Sequence, residues 1–222
     1  MNVSVLITAA HPGRAWDWPD GPGRNTVPIA GEPLVARTVR QCEERGFDAI
    51  VVTKLPEVVE VVPRTFTPAR HAWWVETVFH TKLLWDDRTV VLLGDVVYPD
   101  ELLDCIFADR GSPRVYGKRY GDFDVAVAFD REDWPQVDVA LQIAIEDVEE
   151  RSAELPPGEW VWWHGCTGQF MRALCGFDLH EAPPDGCPYM KIVDVGFAKD
   201  FDRKGDYLAW LDKNPWAKEQ KT

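Results

Sequence analysis

The chain has 222 residues, 37 acidic against 24 basic, for a formal charge of −13. That suits one α/β domain and argues against a protein that coats a polyanion with clustered Lys and Arg. An apolar share of 45% with 12% aromatic residues supplies a sizeable core, and no apolar run reaches the roughly 18–20 residues of a membrane span.

Met1 to Ala10 is apolar without a basic leader and runs into His-Pro-Gly-Arg, so it reads as a buried strand rather than a signal peptide. Within it, residues 3–10 end in small residues, as a central parallel strand does. A polar stretch follows, His11 to Thr26, rich in Gly, Pro, Arg and Asp. Loops of that length usually carry function. A helix is expected from Pro33, with Leu34, Val35, Val39 and Cys42 at helical spacing, until Gly46 stops it. Asp48 to Thr53 is a second buried strand, so the chain opens as a βαβ unit with a parallel sheet.

Residues 54–71 carry Pro56, Pro63 and Pro68 and give no clear pattern. A helix is expected over 72–85, a strand over 89–93 ending in Gly94-Asp95, and a short helix over 99–108. Strands are expected over 114–117 and 124–129, a helix over 135–150, a turn at 154–158 and a strand over 160–164. Thr167 caps a helix running to Leu174, a last strand covers 192–195, and a helix over 206–213 closes the chain. With no repeat and no linker, the expectation is one three-layer α/β/α sandwich on a mostly parallel, mixed sheet.

The five cysteines, Cys42, Cys105, Cys166, Cys175 and Cys187, form no C-x-x-C, and reduced cytoplasmic thiols are expected. His164, Cys166, Cys175, His180 and Cys187 crowd together, but their spacings match no regular zinc finger or ribbon.

In a parallel α/β sheet, ligands bind beyond the carboxyl ends of the strands. Three polar features fall there. The loop after the first strand holds His11, Gly13, Arg14, Gly21, Gly23 and Arg24. Glycines let backbone approach a phosphate, and arginine offers its oxygens a fork. Asp95, delivered by a buried strand, is placed to hold Mg²⁺ or, alternatively, to cap the next turn. Asp200 and Asp202 alternate on an extended segment and point the same way; one of them could join Asp95 on a metal while Asp206 caps the last helix. A solvated acidic turn is the plain alternative. The tryptophan clusters 16/18, 73/74 and 160/162/163 offer stacking faces for sugars or bases. Most of the eleven tryptophans belong to the core, and Trp16 and Trp18 are the exceptions expected to act.

Together these features resemble the nucleotidyltransferase-like, GT-A-type superfamily of nucleotide-sugar enzymes. Arg14 and Arg24-Asn-Thr-Val-Pro-Ile-Ala-Gly-Glu-Pro-Leu34 look like its N-terminal signature, a Gly-rich loop with an arginine, then a lysine and a Gly-Lys-Pro-Leu segment. Val90-Val-Leu-Leu-Gly-Asp95 looks like its metal-binding aspartate, and residues 200–207 are similar to its C-terminal Asp-x-Asp segment. Here the signature lysine is Arg24, the Lys of Gly-Lys-Pro is Glu32, and the Thr-Pro after the second aspartate is Arg203-Lys204.

The resemblance implies a Rossmann-like fold with a nucleotide-binding half, 1–110, and an acceptor-binding half, 111–222. It implies nucleotide contacts at Ala9, Ala10, His11, Gly13, Arg14 and Arg24, and Mg²⁺ or Mn²⁺ on Asp95, Asp202 and Asp200. Its favoured activity is nucleotidyl transfer from a nucleoside triphosphate to a phosphorylated small molecule such as a sugar phosphate. The alternative is glycosyl transfer from a nucleotide-sugar, with His164 as candidate base or else a structural histidine. A silent nucleotide-binding member is the third reading, against which the retained aspartates count. A small-molecule acceptor is expected, a nucleic-acid acceptor is disfavoured by the charge, no membrane is involved, and a homo-oligomer is compatible with the chain.

Overall fold

The computed structural model describes residues 1–10, 16–117, 124–154, 167–177, 179, 188–193, 199–201 and 203–218. Alternation in β1 (Val3–Thr8) decides the layering. Val5 and Ile7 face one side and Leu6 the other, all essentially buried, because successive strand side chains point to opposite faces. β2 (Pro28–Ile29) and β3 (Glu32–Pro33) form a small antiparallel hairpin that leads into α1 (Leu34–Glu43). Gly46, at φ 80°, ends that helix as expected, with the Phe47 N–H donating to the Cys42 carbonyl.

β4 (Ala49–Val52), α2 (Pro56–Val59), β5 (Thr65–Phe66) and α3 (Trp74–Phe79) follow. Then come β6 (Arg88–Leu93), β7 (Val96–Val97), α4 (Asp100–Ala108), β8 (Arg114–Gly117) and β9 (Asp124–Asp130). The remaining described elements are α5 (Trp134–Glu154), α6 (Thr167–Cys175), β10 (Met190–Ile192), β11 (Lys199–Asp200) and α7 (Lys204–Lys213).

Among the described residues, the main sheet has seven strands in the order β10-β8-β9-β6-β1-β4-β5. Every neighbouring pair is parallel except the two made by β9. The mostly parallel, mixed sheet and the α/β class expected from the sequence are both found. α1, α2 and α4 cover the face of Val5 and Ile7 through Val35, Val39, Val58, Leu103 and Ile106. α3, α5 and α6 cover the other face. On α5 the buried residues Val137, Ala140, Leu141, Ala144 and Val148 recur at helical spacing. Each fully buried Val or Leu contributes about 1.5–3 kcal/mol. A third cluster joins the hairpin to α7 through Val27, Ile29, Leu34, Phe201, Tyr207 and Trp210.

Several boundaries differ from the expectation. α3 ends at Phe79 instead of reaching residue 85, because the buried Thr81 turns its hydroxyl onto the Val78 carbonyl and accepts the Trp85 indole N–H. α5 runs on to Glu154, supported by an Arg151–Asp147 pair one turn apart at 2.9 Å. The last strand of the sheet lies at 190–192, slightly before its expected place. The strand expected over 160–164 lies outside the described residues. Cys42 and Cys105 are free thiols, but Cys175 is disulfide-bonded, which corrects the expectation of uniformly reduced thiols. No helix among the described residues is long and apolar enough to cross a membrane.

Candidate functional site

The carboxyl ends of β6, β1, β4 and β5 form one continuous edge, and small residues let its backbones meet. Ala9 and Ala10 are buried where β1 ends. The Ala9 N–H donates to the Val52 carbonyl, and the Thr53 hydroxyl donates to the Ala9 carbonyl at 2.9 Å. On the other side, the Gly94 N–H donates to the Thr8 carbonyl. A Cβ on Gly94 would lie 2.7 Å from the Ala9 Cβ, so only glycine allows this approach. That contact sets where the next residue, Asp95, emerges.

Tyr98 locks the turn behind Asp95. Its fully buried hydroxyl accepts the Leu93 N–H at 2.8 Å and donates to the Val125 carbonyl at 2.5 Å. Burial pushes the phenol well above its ordinary pKa, so it keeps the proton that this second bond requires. β11 then pairs antiparallel with β7, setting Asp200 opposite Val96, one residue beyond Asp95. The C-terminal aspartate segment therefore lies alongside Asp95.

Arg24 opens a short 3-10 turn braced by Thr26, whose N–H and hydroxyl both donate to the Gly23 carbonyl. Its Nη2 lies 2.8 Å from Asp95 Oδ2, with side-chain exposures of 21% and 13%. A nearly buried ion pair thus joins two residues that the sequence assigned to one site. Among the described residues, Asp95 Oδ1 has no hydrogen-bond partner, and it is not fully buried. A hard cation such as Mg²⁺ takes one or two carboxylates plus phosphate oxygens and water, and this free oxygen beside the Asp200 strand fits it. Among the described residues, no three His, Cys, Asp or Glu side chains gather into a cage.

His11, Gly13, Arg14, His164 and Asp202 lie outside the described residues. Asp206 caps α7 from its first turn, accepting the Arg203 N–H at 3.2 Å. Trp16 and Trp18 pack against α7 rather than standing free. The Trp16 indole donates to the Pro22 carbonyl, and Trp18 sits 6.2 Å from the Tyr207 ring with the Lys204 ammonium 4.5 Å from its own centroid. Glu32, the reversed charge of the signature, is gripped by Arg40 at 2.9 Å.

The end of the segment without a clear sequence pattern and the start of α3 supply a further polar cluster, beyond β4 and β5. Glu76 is 1% exposed, accepts the Ala72 N–H through Oε2, and has the Arg70 guanidinium 2.6 Å from Oε1, off the hydrogen-bonding direction. Beside it, His71 Nδ1 and the indole nitrogens of Trp73 and Trp74 are buried without a hydrogen-bond partner. Buried unpaired donors are costly and rare. Burial, and then the nearby Lys54, lower the His71 pKa and favour the neutral ring. The adjacent Trp73-Trp74 in the sequence hinted at this cluster; the His71–Glu76 grouping did not stand out.

The chain has the Rossmann-like α/β fold of solved nucleotidyltransferase structures. No protein-family model and no curated protein matches the chain. Solved structures do. A Bacillus anthracis protein assigned as a glucose-1-phosphate thymidylyltransferase, solved with sucrose, is 10% identical with a TM-score of 0.62, covering 96% of this chain and 95% of its own. The CTP:phosphocholine cytidylyltransferase of Streptococcus pneumoniae is 13% identical with a TM-score of 0.60, over 96% and 100%. A Mycobacterium sp. strain JC1 homologue of Mycobacterium tuberculosis rv0371c is 17% identical with a TM-score of 0.57, over 95% and 96%. The resemblance drawn from the sequence is thereby met at the level of the fold.

Proposed function

We propose that this protein is a metal-dependent nucleotidyltransferase that moves a nucleotidyl group from a nucleoside triphosphate to a phosphorylated small molecule such as a sugar phosphate. The observation that carries the reading is the Arg24–Asp95 pair at the carboxyl edge, with the Asp200 strand beside it. The thymidylyltransferase and cytidylyltransferase names of two fold neighbours support it.

Residues 1–110 would bind the triphosphate and residues 111–222 the acceptor. Arg14 and Arg24, with the glycines of their loop, would contact the phosphates. Asp95, with Asp202 and Asp200, would hold Mg²⁺ or Mn²⁺, a cation that would supply charge neutralisation for the phosphate oxygens. Arg24 fixes the Asp95 carboxylate before substrate arrives, so the free Oδ1 needs no reorientation. An acceptor phosphate oxygen forms a bond to the α-phosphorus as the bond from that phosphorus to the β-bridging oxygen breaks, and pyrophosphate departs with the electron pair. The attacking phosphate is already ionised at neutral pH, so no protein base is required. Catalysis is positioning plus charge stabilisation.

Glycosyl transfer would keep the donor-phosphate contacts but release a nucleoside diphosphate. The two separate in one assay, in which nucleoside triphosphates and sugar phosphates are incubated with Mg²⁺ and pyrophosphate is measured. Acceptor-dependent pyrophosphate release is expected. Turnover of nucleotide-sugars with no pyrophosphate from any triphosphate would overturn the reading.

A further inference from the structure

A second cleft, of about 320 Å³, opens between the β2–β3 turn, α1, the start of α4 and the C-terminal turn at Trp216. It shares no residue with the Asp95 site. Its charges pair off with one exception. Arg40 grips Glu32 and Glu44, and Arg45 grips Asp100 and Asp104. Among the described residues, no carboxylate lies within ion-pair distance of Arg37. Its Nη1 donates to Gln41 Oε1 and to the Tyr98 carbonyl, both at 3.0 Å, while Nε and Nη2 bond nothing and remain accessible. Those two nitrogens form the edge with which a guanidinium binds an anion bidentately. Burial is the largest influence on Arg37 and lowers its pKa, outweighing the attraction of Asp100 across the cleft.

Trp216 supplies the other half of the cleft. The Ala30 N–H donates to the Ala217 carbonyl at 2.7 Å, which ties this turn to the hairpin. The indole stands edge-on to Trp210 and is 44% exposed, with the Arg37 guanidinium 5.9 Å from its centroid. An exposed indole beside an unused arginine fork matches a ligand with a flat ring and an anionic group.

We propose that this cleft is a second ligand site, taking a planar organic anion of single charge whose anionic group is held by Arg37 and whose ring lies against Trp216. The single charge follows from the lining: Glu32 and Asp100 border the cleft and repel a dianion. An aromatic carboxylate and a nucleoside phosphodiester share this chemistry.

The test follows the Trp216 indole N–H resonance, assigned with Trp216→Phe, while ¹⁵N-labelled protein is titrated with naphthoate, cyclic AMP or AMP. Naphthoate or cyclic AMP should shift that resonance saturably, and the effective probe identifies the ligand type. Arg37→Gln should weaken the effect at least tenfold, and Asp95→Asn should leave it unchanged. If Arg37→Gln does not fold, Arg37→Lys, which keeps the charge and loses the fork, should also weaken it severalfold. A Trp216 resonance unmoved at 10 mM of both favoured probes would overturn the proposal. So would an equal shift in the Arg37 variants, or tighter binding of the dianionic AMP. Failure here leaves the Asp95 reading untouched, because that site is read by Asp95→Asn.

Discussion

Replacing Gly94 with alanine adds one methyl group at the point where β6 and β1 deliver the candidate site. The new Cβ would sit 2.7 Å from the Ala9 Cβ, 2.9 Å from the Thr8 carbonyl oxygen and 3.2 Å from the Ala9 Cα. Carbon atoms in contact stay about 3.5–4.0 Å apart, so the first distance is roughly 1 Å too short. Two of the three obstructing atoms are backbone and cannot rotate away. Relief requires the end of β6 to slide off β1, at about 1–3 kcal/mol for overpacking and about 1 kcal/mol for the Gly94–Thr8 hydrogen bond. A loss of about 2–4 kcal/mol is expected, which lowers the urea midpoint by about 1–2 M at a slope near 2 kcal/mol/M. Asp95 moves with its neighbour, and a displacement of that size costs turnover about a hundredfold. Gly205→Ala is the control: nothing lies within 4 Å of its added Cβ inside α7, and a gain of about 0.5–1 kcal/mol is expected. A Gly94→Ala protein within about 0.5 kcal/mol of the parent would refute the reasoning.

Tyr98→Phe strands the buried Leu93 N–H and Val125 carbonyl; chemical denaturation should register a loss of about 2–4 kcal/mol. Acid unfolding should involve Asp109. Burial alone would raise its carboxyl, but the Gly111 N–H, the Lys191 ammonium and the Tyr116 hydroxyl outweigh it and hold the pKa at about 2. A depressed carboxyl contributes stability that is complete above about pH 4 and is lost as the pH falls through about 2, here about 2 kcal/mol. Lys191→Met should move that loss to higher pH in a pH series of melts, and an unchanged acid limb would count against the assignment. Burial pushes the Cys42 thiol up to about 12, so it should resist a thiol reagent at pH 8 until the protein unfolds. With Cys175 in a disulfide, the unfolded, unreduced chain should titrate three of its five thiols.

The layers were readable because strands buried on both faces spell continuous apolar runs, as in Val90-Val-Leu-Leu93, and because Gly46 marks the end of α1 so clearly. Gly94-Asp95 was readable as a strand end for the same reason. β7 and β11 were not: two-residue strands carry no periodicity, and their pairing joins segments far apart in the chain. The Arg24–Asp95 contact was not legible either, since the sequence offers both residues to phosphate and metal and only the fold makes them partners. Glu32 illustrates the opposite difficulty. Its reversed charge looked like a change in the site, whereas its carboxylate serves Arg40 two turns into α1. Trp16 and Trp18 in a polar loop suggested free stacking faces, and the aromatic side of α7 takes them up instead.

The central claim is that Asp95 and Arg24 form the metal-dependent phosphate site. Calorimetric titration of a nucleoside triphosphate into the parent and Asp95→Asn proteins, with and without Mg²⁺, tests it most directly. The parent should bind the triphosphate at least tenfold more tightly with Mg²⁺, and Asp95→Asn should lose that enhancement while still unfolding cooperatively, at a lower temperature because Arg24 loses its partner. An enhancement equal in both proteins would contradict the account.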